Sequence, residues 1–282
     1  MRVLITGAGG QVGRELVEVF EAAGDEVVGA DLPVLDVADR DVTLQVITTA
    51  HPDAIVHAGA WTAVDACEAD PDRALRVNGL GTRHVAQGAR LVGARLLYLS
   101  TDYVFDGESA RPYDEWDAPN PRSVYGRSKL AGERELAGDP DATIVRTSWV
   151  CGRYGSNLVR TVLGLAAERD TVSFVDDQRG HPTIVGDLAP MLRRLLVEHR
   201  PGLFHVTNQG VVSWFELVRA VFEAAGLDPA RVEPISTAEL DPPRAAPRPV
   251  NSVLDNAALR LCDLPLLPDF RESLPDLVAA LA

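Results

Sequence analysis

Tyr125 and Lys129 stand four residues apart in the segment Tyr125-Gly126-Arg127-Ser128-Lys129. On a helix this spacing puts a phenol and an ammonium on one face, one turn apart. Lys129 is the only lysine among 27 Lys and Arg residues. With five tyrosines in 282 residues, a lone lysine placed at random falls four after one of them in about 5/282 of cases. Lysine is a compact charge with a tunable pKa, whereas arginine is a wide, permanently charged fork. A hydroxyl donor beside such a pair makes a carbonyl-reduction site, and Ser100-Thr101-Asp102 supplies one after an apolar run. Tyr125 would protonate the nascent alkoxide, Lys129 would lower the phenol pKa, and Thr101 would hydrogen-bond the same oxygen. Hydride must come from a nicotinamide, because no side chain supplies one. Lys129 can also hold the nicotinamide ribose.

Such a site needs a dinucleotide cradle and elements to carry it. Residues 2–6 read as a strand ending in Gly7, Gly10, Gln11, Val12 and Gly13, followed by an amphipathic stretch over 14–23 and a second strand over 26–30 ending at Asp31. The pattern is G-x-x-G-x-x-G. Its glycines give a tight turn, close approach to a pyrophosphate, and amides at a helix N-terminus. Asp31 is placed to take ribose hydroxyls, and no Arg follows it at once, which leans towards NADH over NADPH. Asp36 and Val37 open a turn before a helix reaching residue 50, where Asp36 is either a cofactor contact or the helix N-cap. A third strand over 53–57 leads to the small residues Ala58, Gly59 and Ala60, with Trp61 and Thr62 beyond.

A helix is expected over 72–91, with Asn78 either on its surface or supporting the site. Strands over 94–99 and 142–146 flank the Tyr125 helix at 123–137. The first of these delivers Thr101 and Asp102 at its carboxyl end, where open α/β sheets bind ligands. Beyond residue 150 the alternation loosens. Helices are expected over 155–168, from a cap at Asp187 to 199, from a cap at Ser213 over 214–225, and from a cap at Ser273 over 274–281. Strands are expected over 172–175 and 203–206, with loops over 178–183 and 234–250. The fold class is α/β, a doubly wound parallel Rossmann-type sheet. Residues 1–150 form the dinucleotide-binding part, and 151–282 a smaller substrate-binding region partly interleaved with it.

Composition narrows the partners. A net charge of −14 argues against nucleic acid and anionic membrane, and suits a locally positive site for a small anion. Cys67, Cys151 and Cys262 are far apart and odd in number, so free thiols in a cytoplasmic setting are expected. The N-terminus runs straight into a strand, so no signal peptide is expected. The six histidines are scattered, and no metal-ligand spacing is present.

The glycine pattern with Tyr125-x-x-x-Lys129 resembles the extended short-chain dehydrogenase/reductase superfamily. Within it, the strings Ser100-Thr101-Asp102-Tyr103-Val104-Phe105-Asp106-Gly107, Arg146-Thr147-Ser148-Trp149-Val150, Asp177-Gln178-x-Gly180-x-Pro182-Thr183 and Ser252-Val253-Leu254-Asp255 resemble the dTDP-4-dehydrorhamnose reductase family. Tyr125-Gly126-x-x-Lys129-Leu130-x-Gly132-Glu133 fits the same family. The resemblance implies reduction of the 4-keto group of dTDP-4-dehydro-6-deoxy-L-mannose to dTDP-L-rhamnose with NADH or NADPH. It implies Tyr125 as proton donor with Lys129 as its partner, and sugar contacts from Thr101, Asp102 and Trp149. It puts Gly10, Gln11, Val12, Asp31, Asp36, Val37, Ala60, Trp61 and Thr62 along the cofactor. Some relatives form metal-assisted homodimers, but no ligand set is assigned here. Cys151 and Leu158 depart from the aromatics usual at their positions, which bears on the identity of the sugar. The alternatives are another nucleotide-sugar enzyme of this fold, such as a 4-epimerase or a ketoreductase of a different sugar, and a non-catalytic subunit resembling that of methionine adenosyltransferase.

Overall fold

The structure is a computed structural model that describes residues 1–281. Its first half runs β1 (Arg2–Thr6), α1 (Gln11–Ala22), β2 (Glu26–Ala30), α2 (Arg40–Ala50), β3 (Ala54–His57) and α3 (Val64–Ala69). Then come α4 (Pro71–Ala74), a π-helical stretch (Leu75–Leu80), α5 (Gly81–Val92), β4 (Arg95–Thr101), α6 (Val124–Leu136) and β5 (Thr143–Thr147). The second half runs β6 (Val150–Cys151), α7 (Leu158–Glu168), β7 (Val172–Val175), β8 (Arg179–Gly180), β9 (Thr183–Ile184), α8 (Val185–Val197) and β10 (Gly202–His205). It ends with β11 (Val212–Ser213), α9 (Trp214–Ala224), β12 (Val232–Ile235), α10 (Ala257–Leu261) and α11 (Phe270–Leu281).

Six parallel strands form the central sheet in the order β10-β5-β4-β3-β1-β2. The strands are near-continuous apolar runs because helices cover both faces. On one face, Leu16 and Phe20 of α1 pack with Leu188, Leu192 and Leu195 of α8 over Val3, Ile5, Val56 and Leu97. On the other, Ile47 of α2 and Val85, Ala86 and Ala89 of α5 cover Leu4, Ile55 and Leu96. The chain order reverses between β1 and β3, so a crevice opens at their carboxyl ends, the place where such sheets take ligands. A second core forms beside the sheet, where Val159 and Val162 of α7, Leu217, Val221 and Phe222 of α9, and Phe270 and Leu274 of α11 meet. The sheet draws its sixth strand, β10, from the second half of the chain, paired in register with β5.

The doubly wound α/β fold is the one the sequence implied. Several boundaries differ. The helix expected over 72–91 is present and runs from Pro71 to Val92, with π-helical hydrogen bonding over Leu75–Leu80 in its middle. The segment Val64–Ala69 adds a helix that was not expected. α7 starts at Leu158 because Asn157 caps it, accepting from the Arg160 amide at 3.1 Å, and Gly155 before it takes φ +68°. Asp187 does not cap α8, which starts two residues earlier. It accepts instead from the Asn208 amide at 2.6 Å. Ser273 lies inside α11, which begins at Phe270. Ser213 does cap α9, in a reciprocal capping box with Glu216.

Candidate active site

The glycine turn is built by close backbone approach. Gly7 sits at φ +69°, and a Cβ there would lie 2.7 Å from the Gly59 Cα, so the ends of β1 and β3 touch. A Cβ on Gly13 would run into the Gly7 carbonyl. α1 begins at Gln11 with no side-chain cap on its first amides, which leaves N–H donors and the positive helix end facing the crevice. This backbone cradle fits a pyrophosphate. Asp31 is fixed by two backbone donors, the Gly9 amide at 3.0 Å and the Leu32 amide at 2.8 Å. Asp36 accepts from the Ala38 amide at 2.9 Å, while Asp39, not Asp36, is the N-cap of α2.

A cavity of about 580 Å³ opens from this cradle. Gly7, Gly10, Gln11, Val12, Gly13, Asp31, Ala58, Gly59, Ala60 and Thr62 line one end, and Thr101, Asp102, Tyr125, Lys129 and Trp149 line the other. Asp36, Val37 and Trp61 line an adjoining cavity of about 320 Å³ that shares Gly7, Asp31, Gly59 and Ala60. Every residue named above as catalytic, cofactor-binding or substrate-binding therefore falls on one connected crevice. Arg73 and Arg76 also line the smaller cavity, and the Arg73 guanidinium lies 4.4 Å from the Trp61 ring centre. They bring to the Asp31 end of the crevice the positive charge missing from the sequence just after Asp31.

Tyr125 and Lys129 sit on the buried face of α6, whose first turn is capped by Ser123 accepting from the Gly126 amide at 3.0 Å. The electrostatics depart from the expectation that the ammonium lowers the phenol pKa. Burial pushes Tyr125 well above the ordinary tyrosine value, and the Asp102 carboxylate pushes it further, with hydrogen bonding to the Thr101 side chain working the other way. The Lys129 ammonium is directed elsewhere. Its Nζ donates to the Leu99 carbonyl at 2.7 Å and lies 4.1 Å from the Tyr98 ring centre. Burial lowers Lys129 to about 7, and the Glu133 carboxylate works against that shift.

Thr101 donates to Asp102 Oδ1 at 2.9 Å. Burial raises Asp102 to about 6, and its Oδ2 is buried with no hydrogen-bond partner. Thr147 lies beside Thr101 in the β4–β5 register and lines the same cavity, with its Oγ1 also unpartnered. Both residues line the cavity and each leaves a buried oxygen without a partner, which a polar ligand entering there could satisfy.

Asn78 is buried and serves as a bracket, not a surface residue. Its side chain accepts from the Trp61 amide at 2.8 Å and donates to the Trp61 carbonyl at 3.1 Å and to Ser128 Oγ at 2.9 Å. Ser128 in turn donates to the Tyr125 carbonyl at 2.8 Å. The π-helical stretch thus ties the cofactor wall to the Tyr125 helix. Gln11 links the cradle to the second half, donating to the Val150 carbonyl at 3.2 Å and accepting from the Gly152 amide at 2.7 Å.

Trp149 holds a left-handed backbone, φ 44°, at the far wall. Such strain in a non-glycine residue persists only where the surroundings impose it. Its indole stacks on Trp214 with ring centres 3.5 Å apart. Gly180 makes room, since a Cβ there would sit 2.6 Å from the Trp149 ring. Trp214 and Tyr103 also border a neighbouring cavity of about 330 Å³ with Phe174, Gln178, Arg244 and Arg248. Arg248 donates to Asp65 Oδ2 at 2.7 Å, and Asp65 Oδ1 accepts from the Ala246 amide at 2.9 Å, which pins the 240–250 loop. Trp214, Arg244 and Arg248 carry no local sequence signal, and only folding brings them to the crevice and its neighbouring cavity, whereas Thr147 lies within the Arg146-Thr147-Ser148-Trp149-Val150 string. Among the described residues no group of three or more His, Cys, Asp or Glu is arranged to hold a metal ion, and no helix is long and apolar enough to cross a membrane.

Comparison with known proteins agrees with this geometry. Residues 1–282 match the family described as RmlD substrate binding domain. The chain is 43% identical to a dTDP-4-dehydrorhamnose reductase of Streptomyces griseus, across 99% of this chain and 94% of that one. It is also 43% identical to a dTDP-4-keto-6-deoxy-D-glucose reductase of Streptomyces niveus, across 83% and 82%. The crystal structure of dTDP-4-dehydrorhamnose reductase from Bacillus anthracis in complex with NADP superposes with a TM-score of 0.94 at 39% identity, covering 99% of this chain and 98% of that one. With the glycine-cradled crevice, the Thr101–Tyr125–Lys129 group and near-complete coverage in both directions, the chain belongs to the dTDP-4-dehydrorhamnose reductase family.

Proposed function

We propose that this protein reduces the 4-keto group of dTDP-4-dehydro-6-deoxy-L-mannose to give dTDP-L-rhamnose, using NADH or NADPH. The observation that carries this reading is the convergence of Thr101, Tyr125 and Lys129 on one cavity continuous with the glycine cradle. When bound there, the dihydronicotinamide supplies a hydride to the carbonyl carbon. Gly7, Gly10 and the first amides of α1 hold its pyrophosphate, and Lys129 holds the ribose. Tyr125 gives its phenolic proton to the oxygen that becomes the alcohol. A raised phenol pKa keeps Tyr125 protonated through neutral pH, and an alkoxide is basic enough to take that proton. Thr101 turns its hydroxyl from Asp102 to the same oxygen. Trp149, backed by Trp214, packs on the sugar ring.

In this reading residues 151–282 carry most of the substrate side. Arg244 and Arg248 meet the nucleotide diphosphate by charge-assisted hydrogen bonds, and Phe174 packs on the base. This would put local positive charge where a protein of net charge −14 needs it. The match to a relative acting on a different 4-keto sugar supports the ketoreductase class more strongly than the particular sugar. Cytoplasmic placement is part of the proposal and rests on the free thiols Cys67, Cys151 and Cys262.

The test is purified protein with the 4-keto-sugar nucleotide and either cofactor, followed at the dihydronicotinamide absorbance. An epimerase would show no net consumption of dihydronicotinamide. Tyr125→Phe should lose at least about 100-fold in kcat, the usual worth of acid catalysis, with cofactor Kd changed by less than about threefold. Near-wild-type turnover in this variant would remove Tyr125 from the mechanism.

A further inference from the structure

Lys129 is buried, and that burial is what disfavours its cationic form. On α6 it is flanked by Tyr125 and Glu133. From β3 it faces His57, which burial keeps neutral to about pH 3, and from β4 it faces Tyr98, whose phenol burial also keeps neutral. Asp102, just past β4, is a second anion at the site. Arg146 of β5 brings positive charge. Glu133 follows Lys129 by one helical turn on the same buried face.

The Glu133 carboxylate is fully occupied. Oε1 accepts from Ser100 Oγ at 2.5 Å and from Arg146 Nε at 2.9 Å, and Oε2 accepts from Arg146 Nη2 at 2.7 Å. The Arg146 and Glu133 side chains are only 3% and 7% exposed. Ser100 and Arg146 are paired in the β4–β5 register, each one residue before Thr101 and Thr147 on the cavity wall. The clamp therefore joins α6, β4 and β5 at the level of the chemistry. Such buried ion pairs are poor stability devices, since apolar replacements of like volume are often neutral or stabilising. The position of this one beside a solitary buried amine gives it a different use.

We propose that Glu133 is a positioning residue: clamped by Arg146 and Ser100, its carboxylate keeps Lys129 cationic and fixes the Tyr125–Lys129 face of α6 against the ends of β4 and β5. This rests on the assignment of Tyr125 and Lys129 as the working pair. The sign is set by charge. Removing the carboxylate's charge takes away the anion nearest Lys129 along α6 and leaves Arg146 uncompensated, so both changes disfavour the ammonium.

Because the chain has a single lysine, 13Cε-lysine labelling yields one side-chain resonance whose titration reports Lys129 alone. In the wild type its midpoint should lie near 7. Glu133→Gln should lower that midpoint by about one unit or more and move the basic limb of the kcat profile down with it. At pH 8, kcat should fall roughly tenfold, since a one-unit shift leaves about a tenth as much ammonium. Ser100→Ala keeps both charges and the Glu133–Arg146 pair, so by the same charge argument it is the control and should leave the midpoint within about 0.3 unit of wild type. If Glu133→Gln does not fold, the paired apolar replacement Glu133→Leu with Arg146→Leu serves, since such exchanges are often neutral or stabilising, and it should lower the midpoint likewise. A midpoint within about 0.3 unit of wild type in whichever of the two Glu133 variants folds, with kcat at pH 8 unchanged, overturns the proposal. Lys129→Met separates the two levels. Full activity in that variant would sink the catalytic assignment, whereas the lysine titration in the resting protein tests the role of Glu133 independently.

Discussion

At the residue scale, Asp102 is the group whose state should set the acidic behaviour of the site. It is buried beside Tyr125, titrates near 6, and offers an unpartnered oxygen on the cavity wall. Its raised pKa makes the carboxylate present above about pH 6 and lost as pH falls through it. A sugar hydroxyl donating to Oδ2 needs that carboxylate, so kcat/KM should fall on the acid side with a midpoint near 6. Asp102→Asn should abolish this limb and raise KM by about 10- to 100-fold, the worth of a hydrogen bond to a charged group. A kcat/KM profile from pH 5 to 8 in both proteins checks it, and an unchanged acidic limb in the variant would assign the limb elsewhere. The residue types of the site were legible because the spacing of Tyr125 and Lys129, the glycine turn and the Ser-Thr-Asp string are local. The direction of the Tyr125 shift was not legible, because it is set by burial and by Asp102. That carboxylate lies 23 positions away in sequence and reaches the phenol only through the packing of α6 on the end of β4.

At the element scale, the closeness of α6 to the segment after β4 decides where Tyr125 points. Gly126 makes that closeness possible, for a Cβ there would run into the Tyr103 backbone carbonyl. Gly126→Ala should destabilise the fold by about 1–3 kcal/mol, as overpacking does, and lower kcat by displacing Tyr125. Gly164, inside α7, has open space around its would-be Cβ. Gly164→Ala should therefore stabilise by roughly 0.5–1 kcal/mol and leave kcat unchanged. Urea unfolding of both variants, with rates measured alongside, tests the contrast; equal effects of the two would mean that helical propensity alone is at work. The strands and helices of the first half were readable from alternating apolar runs and caps such as Ser123. The π-helical stretch was not, because an i→i+5 bond leaves no mark in residue type, and only the burial of Asn78 reveals what it is for. The two-residue strands β6, β8, β9 and β11 were equally invisible, being too short to show a period.

At the scale of the whole molecule, the two halves share one crevice because β10 completes the sheet of the first half and α8 covers one of its faces. Joining them this way buries polar groups at the seams. His181 and His205 lie there, and His57 lies within β3 of the first half; all three are buried, and burial lowers them to about 4, 3 and 3. Each is neutral in the folded protein across the range where the unfolded chain, with histidines near 6.5, takes up protons. The unfolded state therefore binds more protons as pH falls from 6.5 towards 4, and stability falls with it. Asp102 and Glu115, both raised by burial, act in the opposite sense, because the folded protein takes their protons first. The three histidines outweigh the two carboxyls, so stability falls between pH 6.5 and 5, each uncompensated proton contributing about 1.4 kcal/mol per unit. Urea unfolding at pH 7.5, 6.5, 5.75 and 5 measures this slope directly. A flat or rising stability on acidification would mean that the histidines are protonated within the fold, and that the seams around β10 and the 181–184 segment are wetter than their packing implies.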